Sequence, residues 1–339
     1  LRLVGYDRVP ATLPTSRAVP ATTADDRPDR ARRALAACGL AEAITFGFQS
    51  RERVAALGLA GDDRRAAPVP LKNPMSVDQA VMRTSLVPNL LAAVARNHSF
   101  GVADVAMFEV GSVFLRPAGV AADAEITGLV DEPVHACVVL AGARPAALGA
   151  GAPWDFYDLR GAVEAMLAAL TERPARVVPG ARSPFLHPGI SARLELDGVV
   201  VGELGEVHPD VRAAFGLDVA VLVADVDLTA VDGARGGPLR QMRTIPRYPA
   251  SSRDVSLLLA VDVPAARVRE VIDAASQPLV ETVAVLEDYR GDKLPAGHKS
   301  MLWSIAYRSA ERTLTDAEVE AAHEAIVARL CTELPAQRR

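Results

Sequence analysis

The chain has 339 residues, half of them hydrophobic and 4% aromatic, with a net charge of −5. That length predicts two or three domains, and the acidic balance leaves any nucleic-acid contact to local patches. Cys38, Cys137 and Cys331 stand alone without a CxxC pair, which indicates neither a disulfide framework nor a zinc site and fits a reducing cytoplasm. No signal peptide is read, and no apolar run approaches the roughly 20 residues of a membrane span. The only lysines are Lys72, Lys293 and Lys299, against many arginines, a bias read as genomic.

Residues 1–24 open as LRLVGYDRVPATLP, a strand-like stretch running into a Pro-rich leader. The chain starts without Met inside what looks like a motif, so a fragment lacking its N-terminal part is expected. Residues 25–40 predict a helix, with Asp25 and Asp26 at its start and Gly39 at its end. Its Arg27, Arg30, Arg32 and Arg33 suit a solvated face or, alternatively, phosphate contact. Residues 44–48 predict a strand, and Ser50 caps a short helix to Leu59.

Residues 71–115 organise the chain. Lys72-Asn73-Pro74 ends an extended run, because Pro74 disfavours helix at Asn73. Ser85 can cap a helix with Pro88 in its first turn and Leu86, Leu90, Leu91 and Val94 on one face. Residues 105–115 predict a long strand. Glu109 in its middle needs a partner if buried, with Arg83 and Arg96 as candidates. Further strands are predicted at 135–140 and 219–228, with a helix at 155–170 between them. A hairpin follows at 191–207, turning on Asp197-Gly198. His208-Pro209 opens a short helix, and Asp232–Pro238 reads as a linker. The last part reads strand 255–261, helix 264–275, strand 280–289, strand 300–308, helix 315–330: a ferredoxin-like order. Thr315 and Glu318 have capping-box spacing, and Pro335 limits any closing strand to a short edge.

KNPMS, MRTSLVPNLL, RNHSFG and MFEVGSVF occur in this order, followed by DFYDLRGAVEAML, HPGISARLELDGVVVGELGEVHPDV, and RTIPRYPASSRDVSLLL with EDYRGDKLPAGHKSMLWSIAYRSAERTLTDAEV. Together they resemble the β chain of bacterial phenylalanyl-tRNA synthetase, over nearly the whole sequence. The resemblance implies an α+β chain. A catalytically silent class II synthetase-like antiparallel sheet module is followed by a ferredoxin-like anticodon-binding domain. It places the end of a preceding helical domain and a linker at 1–24, the silent module at 25–232, a linker at 233–245 and the anticodon-binding domain at 246–339. A class II site needs one strand arginine on the ATP α-phosphate and a second beyond a Gly-rich strand. Here the corresponding strand carries Phe108-Glu109-Val110, and the Gly-rich run is missing. No catalytic residue is therefore assigned.

The resemblance further implies a catalytic α subunit and tRNA(Phe) as partners in an α2β2 hetero-tetramer, with no DNA and no membrane. ATP and Mg²⁺ act at the level of the holoenzyme and are not held by this segment. Lys72, Asn73, Pro74, Ser76, Arg83 and Arg96 are the expected subunit interface. Arg247, Tyr248, Arg253, Tyr289, Arg290, Lys299, Arg308 and Arg312 are the expected tRNA contacts, with Arg240 and Arg243 in the same basic run, because cations hold phosphates and rings stack on unpaired bases. Trp303 and Tyr307 can belong instead to the core. Ile190, where the family carries Arg or Gln, and His298, where it carries Lys, depart from the pattern. His187, His208, Asp225 and Asp227 could be drawn as a metal set, but hydrogen-bonded turns explain them better. Glu203 and Glu206 mimic an acid pair without a nucleophile. The competing reading is a free-standing regulatory protein whose ferredoxin-like domain binds a small metabolite.

Overall fold

The computed structural model describes residues 25–338 except 122–123, 125–127, 147–148, 150, 172, 234–244 and 276. The predicted leader at 1–24 and most of the linker, with Arg240 and Arg243, lie outside the described residues. The chain divides into two compact units, Leu1–Arg240 and Gln241–Arg339.

The first unit contains α1 (Arg27–Ala37), β1 (Ala41–Glu42), β2 (Phe48–Gln49), α2 (Arg51–Ala55), β3 (Val81–Met82), α3 (Val87–Ser99), β4 (Val105–Ser112) and β5 (Val134–Ala141). It continues with α4 (Phe156–Leu170), β6 (Arg176–Pro179), β7 (Leu186–Leu196), β8 (Val199–Val207), α5 (Pro209–Ala214), β9 (Val221–Asp227) and α6 (Leu228–Gly233). Seven strands form one sheet in the order β1-β4-β5-β9-β8-β7-β6, and β2 pairs with β3 separately. β1 runs parallel to β4, while the other pairs are antiparallel.

β5 and β9 lie at the centre and are apolar on both sides because both sides are covered. Ala136, Val138 and Leu140, with Leu222, Ala224 and Val226, share a core with Leu35 of α1 and Leu159, Val163 and Met166 of α4. Cys137, Val139 and Ala141, with Val221 and Val223, share the opposite core with Leu90, Leu91 and Val94 of α3. Each large side chain buried there contributes roughly 1.5–3 kcal/mol. The β7–β8 turn places Asp197 at φ 49° and Gly198 at φ 81°, the left-handed pair that a two-residue hairpin requires. Asp155 caps α4 by accepting from the backbone of Tyr157 and Asp158, and Asp158 returns a bond to the Asp155 N–H.

Several expectations are corrected. Residues 44–47 form no strand, because Thr45 bonds to the Glu109 side chain rather than to a ladder, and only Phe48 of the expected strand pairs, in two-residue β2 against β3. β4 stops at Ser112, and Leu115 beyond it makes a lone bridge to Asp131. α2 stops at Ala55 instead of Leu59. Residues 228–233 continue from β9 as α6, which takes in the start of the predicted linker. β6, unforeseen, is a short edge strand ending at Pro179.

The second unit contains β10 (Ser251–Ala260), α7 (Ala265–Ala274), β11 (Val280–Tyr289), β12 (His298–Tyr307), α8 (Asp316–Glu333) and β13 (Gln337–Arg338). Its sheet order, β11-β12-β10-β13, with all pairs antiparallel, is ferredoxin-like. β10 begins at Ser251, ahead of the expected Val255. Past Pro335 the closing strand is two residues long. Val255, Leu257, Leu259, Met301, Trp303, Ile305 and Tyr307 face α7 and α8. Trp303 and Tyr307 are core residues. The alternate residues, among them Ser252, Asp254, Leu258, Leu302 and Ser304, point away from both helices.

Candidate docking face and candidate nucleic-acid interface

In the first unit, residues 43–48 leave β1, pass Glu109 of β4 and bend at Gly47 into β2, with their chemistry reversed. Ile44 is 89% exposed, Phe46 69% and Phe48 37%, while Thr45 between them turns inward. The Ala43 N–H donates to the Phe108 carbonyl at 2.7 Å, and the Arg83 N–H to the Gly47 carbonyl at 2.9 Å. The Thr45 N–H donates to Glu109 Oε1 at 3.1 Å and its hydroxyl to Oε2 at 2.8 Å. Asn89 of α3 donates to the Phe46 carbonyl at 3.0 Å. Beyond this segment, residues 72–78 are all exposed, Met75 at 93%. Ile44, Phe46 and Phe48 line a groove of 440 Å³ with Asp78, Ala92, Ala93 and Arg96. Contiguous exposed apolar side chains of this kind mark protein contact surfaces.

The structure separates the expected interface residues. Lys72, Asn73, Pro74 and Ser76 sit on the exposed loop, and Arg96 on the groove wall. Arg83 is buried beneath them. Its guanidinium meets Glu109 at 2.6 Å and donates to the Ser112 carbonyl at 2.8 Å and the Thr45 hydroxyl at 3.2 Å. Of the two candidates, Arg83 is the partner that buried Glu109 required.

Sequence reasoning missed a second buried network. His135 Nδ1 and Asp225 Oδ1 are 2.7 Å apart, and the Ser85 hydroxyl reaches Asp225 Oδ2 at 3.4 Å. Ser85 also accepts from the Val87 N–H at 3.2 Å, but it is not the expected cap, since Leu86 holds the N-cap position of α3 without a side-chain bond. Arg65 pairs with Asp63 at 2.7 Å and donates to Ser183 at 3.0 Å, its guanidinium over the Phe185 ring. The Ser85 hydroxyl is turned to the carboxylate rather than to the imidazole, so the group lacks a nucleophile–base pair. The one sequence signal was His135, polar at the head of an apolar strand.

The drawn metal set is dispersed. His187 Nδ1 accepts from the Gly189 N–H, His208 Nδ1 from the Asp210 N–H, and Asp227 from the backbone of Thr229 and Ala230. Among the described residues no three His, Cys, Asp or Glu side chains are placed to hold a metal. Glu203 accepts from the N–H groups of Arg182 and Ser183, and Glu206 faces Arg212 at 3.7 Å. Ile190 lines a groove beside Glu206.

In the second unit most expected tRNA-binding cations already face acids. Arg253 pairs with Asp316 at 3.0 Å and Glu320 at 3.6 Å, not with Asp254, and points to the helix side of the sheet. Arg290 pairs with Asp288, Arg308 with Glu281, and Arg312 with Glu318. Lys299 is buried 3.7 Å from Asp288, in phase with Met301 and Trp303 along β12. That period-two phase was the signal that it points inward. The Arg312 hydrogen bond and the Thr315 N–H and hydroxyl together lower the Glu318 carboxyl well below its usual range. Arg247 is exposed and has no partner among the described residues, Tyr248 beside it is half-buried, and Tyr289 is exposed at the end of β11. His298 is exposed, its Nδ1 3.0 Å from the Ala296 carbonyl.

Comparison with known proteins follows the same division. The family described as "Phenylalanyl tRNA synthetase beta chain CLM domain" matches residues 9–228, and "Ferredoxin-fold anticodon binding domain" matches residues 246–339. The chain is 36% identical over 352 residues to the phenylalanine–tRNA ligase beta subunit of Syntrophotalea carbinolica, covering 100% of this chain and 42% of that protein. It is 41% identical over 355 residues to the corresponding subunit of Anaeromyxobacter dehalogenans, covering 100% and 42%. It therefore spans about two-fifths of the length of these relatives. Among solved structures, pyrrolysyl-tRNA synthetase from Desulfitobacterium hafniense aligns with a TM-score of 0.47 at 12% identity, over 62% of this chain and 68% of that one.

Proposed function

Since the chain belongs to the phenylalanyl-tRNA synthetase β-chain family, we propose that it serves a phenylalanine–tRNA ligase as a docking and tRNA-holding part. The carrying observation is that the anticodon-binding match falls on a domain whose helices cover one sheet face only. A sheet face that neither α7 nor α8 covers, bearing small polar residues, Leu258 and Leu302, with Tyr289 at its margin, suits unpaired bases. Arg247 can reach phosphate without first breaking an ion pair.

The first unit docks on a catalytic α-type chain through residues 43–48, the loop bearing Lys72, Asn73, Pro74 and Ser76, and the groove wall at Arg96. It does not catalyse. The strand Phe108-Glu109-Val110 brings no arginine to a nucleotide phosphate, and the acids nearby are spent on protein partners. ATP and Mg²⁺ are then held by the α-type chain, and the described residues here do not fit a metal. The assembly is an α2β2 hetero-tetramer in the cytoplasm, acting on tRNA(Phe).

The test is co-expression with the α-type chain. Recovery of a complex that charges tRNA with phenylalanine is expected. Failure to recover the α-type chain under native salt would favour a free-standing protein instead.

A further inference from the structure

An extended segment on a protein surface ordinarily turns apolar side chains in and polar ones out. Residues 43–48 do the opposite, and the cause is a buried charge pair. Glu109 spends both carboxylate oxygens on Thr45, and Arg83 reaches the same threonine hydroxyl while pairing with Glu109. Gly111 makes room for this arrangement, since a Cβ there would collide with the Arg83 guanidinium. A buried ion pair is weak support for stability, because desolvation offsets its attraction, but it can specify one geometry. Here that geometry holds Thr45 inward and thereby sets Ile44, Phe46 and Phe48 outward.

We propose that Glu109 and Arg83 are positioning residues of the docking face. Acting through Thr45, they hold residues 43–48 in one conformation with the apolar side chains outward before the α-type chain arrives. Association then avoids the entropy of ordering the segment, the general benefit of preorganisation. The inference rests on the docking reading above, and the experiment separates the two.

Three sets of variants are made in the full β chain: Thr45→Val, Thr45→Ser, and Ile44→Ser with Phe46→Ser. Affinity for the α-type chain is measured alongside amide hydrogen exchange of the free β chain. Valine keeps the shape of threonine and removes the hydroxyl, whereas serine keeps the hydroxyl. Thr45→Val is expected to weaken association about tenfold, the equivalent of ordering roughly one residue of backbone. It should also speed exchange at residues 43–48 while α3 and β4 stay protected, and Thr45→Ser should behave as the native chain.

If Ile44→Ser with Phe46→Ser weakens association and Thr45→Val does not, the docking face stands and the positioning role is refuted. If neither weakens it, the docking reading fails and the inference with it. Faster exchange throughout the first unit in Thr45→Val would also refute the positioning role, because the hydroxyl would then be supporting the fold in general.

Discussion

His135 Nδ1 lies 2.7 Å from Asp225 Oδ1, across the β5–β9 pairing and nearly closed off from water. Burial pushes the imidazole down, but the charge and hydrogen bond of Asp225, with Asp227 adding, outweigh it and raise the His135 pKa against the opposing Arg65. Burial pushes Asp225 up, and His135, Arg65 and Ser85 reverse that to a net lowering. A raised histidine stabilises fully below its unfolded value of 6.5 and loses that contribution as pH rises through its folded value. A lowered aspartate stabilises above its unfolded 3.8 and loses that contribution as pH falls through its folded value. The melting temperature of the first unit should therefore decline as pH rises above 6.5, and His135→Gln should flatten the decline. Equal slopes in native and variant chains would refute the pairing.

The second unit should respond in the opposite sense. His323 is buried in α8 with its Nδ1 3.0 Å from the Tyr307 hydroxyl, and its Nε2 has no partner among the described residues. Burial lowers its pKa, Arg338 and Arg253 add to this, and Glu320 and Glu324 oppose it. Burial pushes the Tyr307 phenol up to about 12, so it stays neutral across this range. A lowered histidine stabilises above 6.5 and loses that contribution as pH falls. His323→Leu should remove this acid sensitivity while leaving the Tyr307 hydroxyl unpaired, a cost of about 1–3 kcal/mol. Calorimetry of the native chain at several pH values should show the two transitions shifting in opposite directions.

Removing Arg83 strands a buried carboxylate. Arg83→Ala should cost the first unit about 3–5 kcal/mol, because Glu109 loses its counter-charge. Gly111→Ala displaces the same guanidinium and should destabilise in the same direction. Urea unfolding followed by a first-unit probe checks both. A loss in Arg83→Ala no larger than that of an exposed substitution would mean that the pair is not buried in solution.

The purified chain, free of any α-type partner, should form no phenylalanyl-adenylate. The expectation rests on the missing phosphate-binding arginines at Phe108-Glu109-Val110. ATP–pyrophosphate exchange above background would overturn it.

Arg247 and Arg253 should separate in a tRNA-binding assay. Arg247→Ala should weaken binding across sequences and reduce the salt slope by about 1, as the loss of one phosphate contact does. Arg253→Ala should chiefly lower the melting temperature, because Arg253 ties β10 to Asp316 and Glu320 of α8. Deleting residues 247–339 should spare assembly with the α-type chain and lower aminoacylation through poorer tRNA binding. A changed salt slope in Arg253→Ala alone would reverse the assignment.

Local chemistry was enough for much of the fold. Asp197-Gly198 dictated the hairpin because two successive left-handed residues favour that pair. The Thr315–Glu318 spacing marked the start of α8, and period-two alternation marked β10 and β12. The order of the motifs was enough for the family and for the two modules. Tertiary structure decided which side of each pattern carries function. Alternation distinguishes the two faces of an extended segment without saying which one the rest of the chain covers. Thr45 turns inward because Glu109 waits 64 residues away, and Arg253 turns toward α8 because Asp316 lies 63 residues on. The His135–Asp225 pair spans 90 residues. Such pairings leave no periodic trace, because they are made by strands and helices brought together only when the cores close.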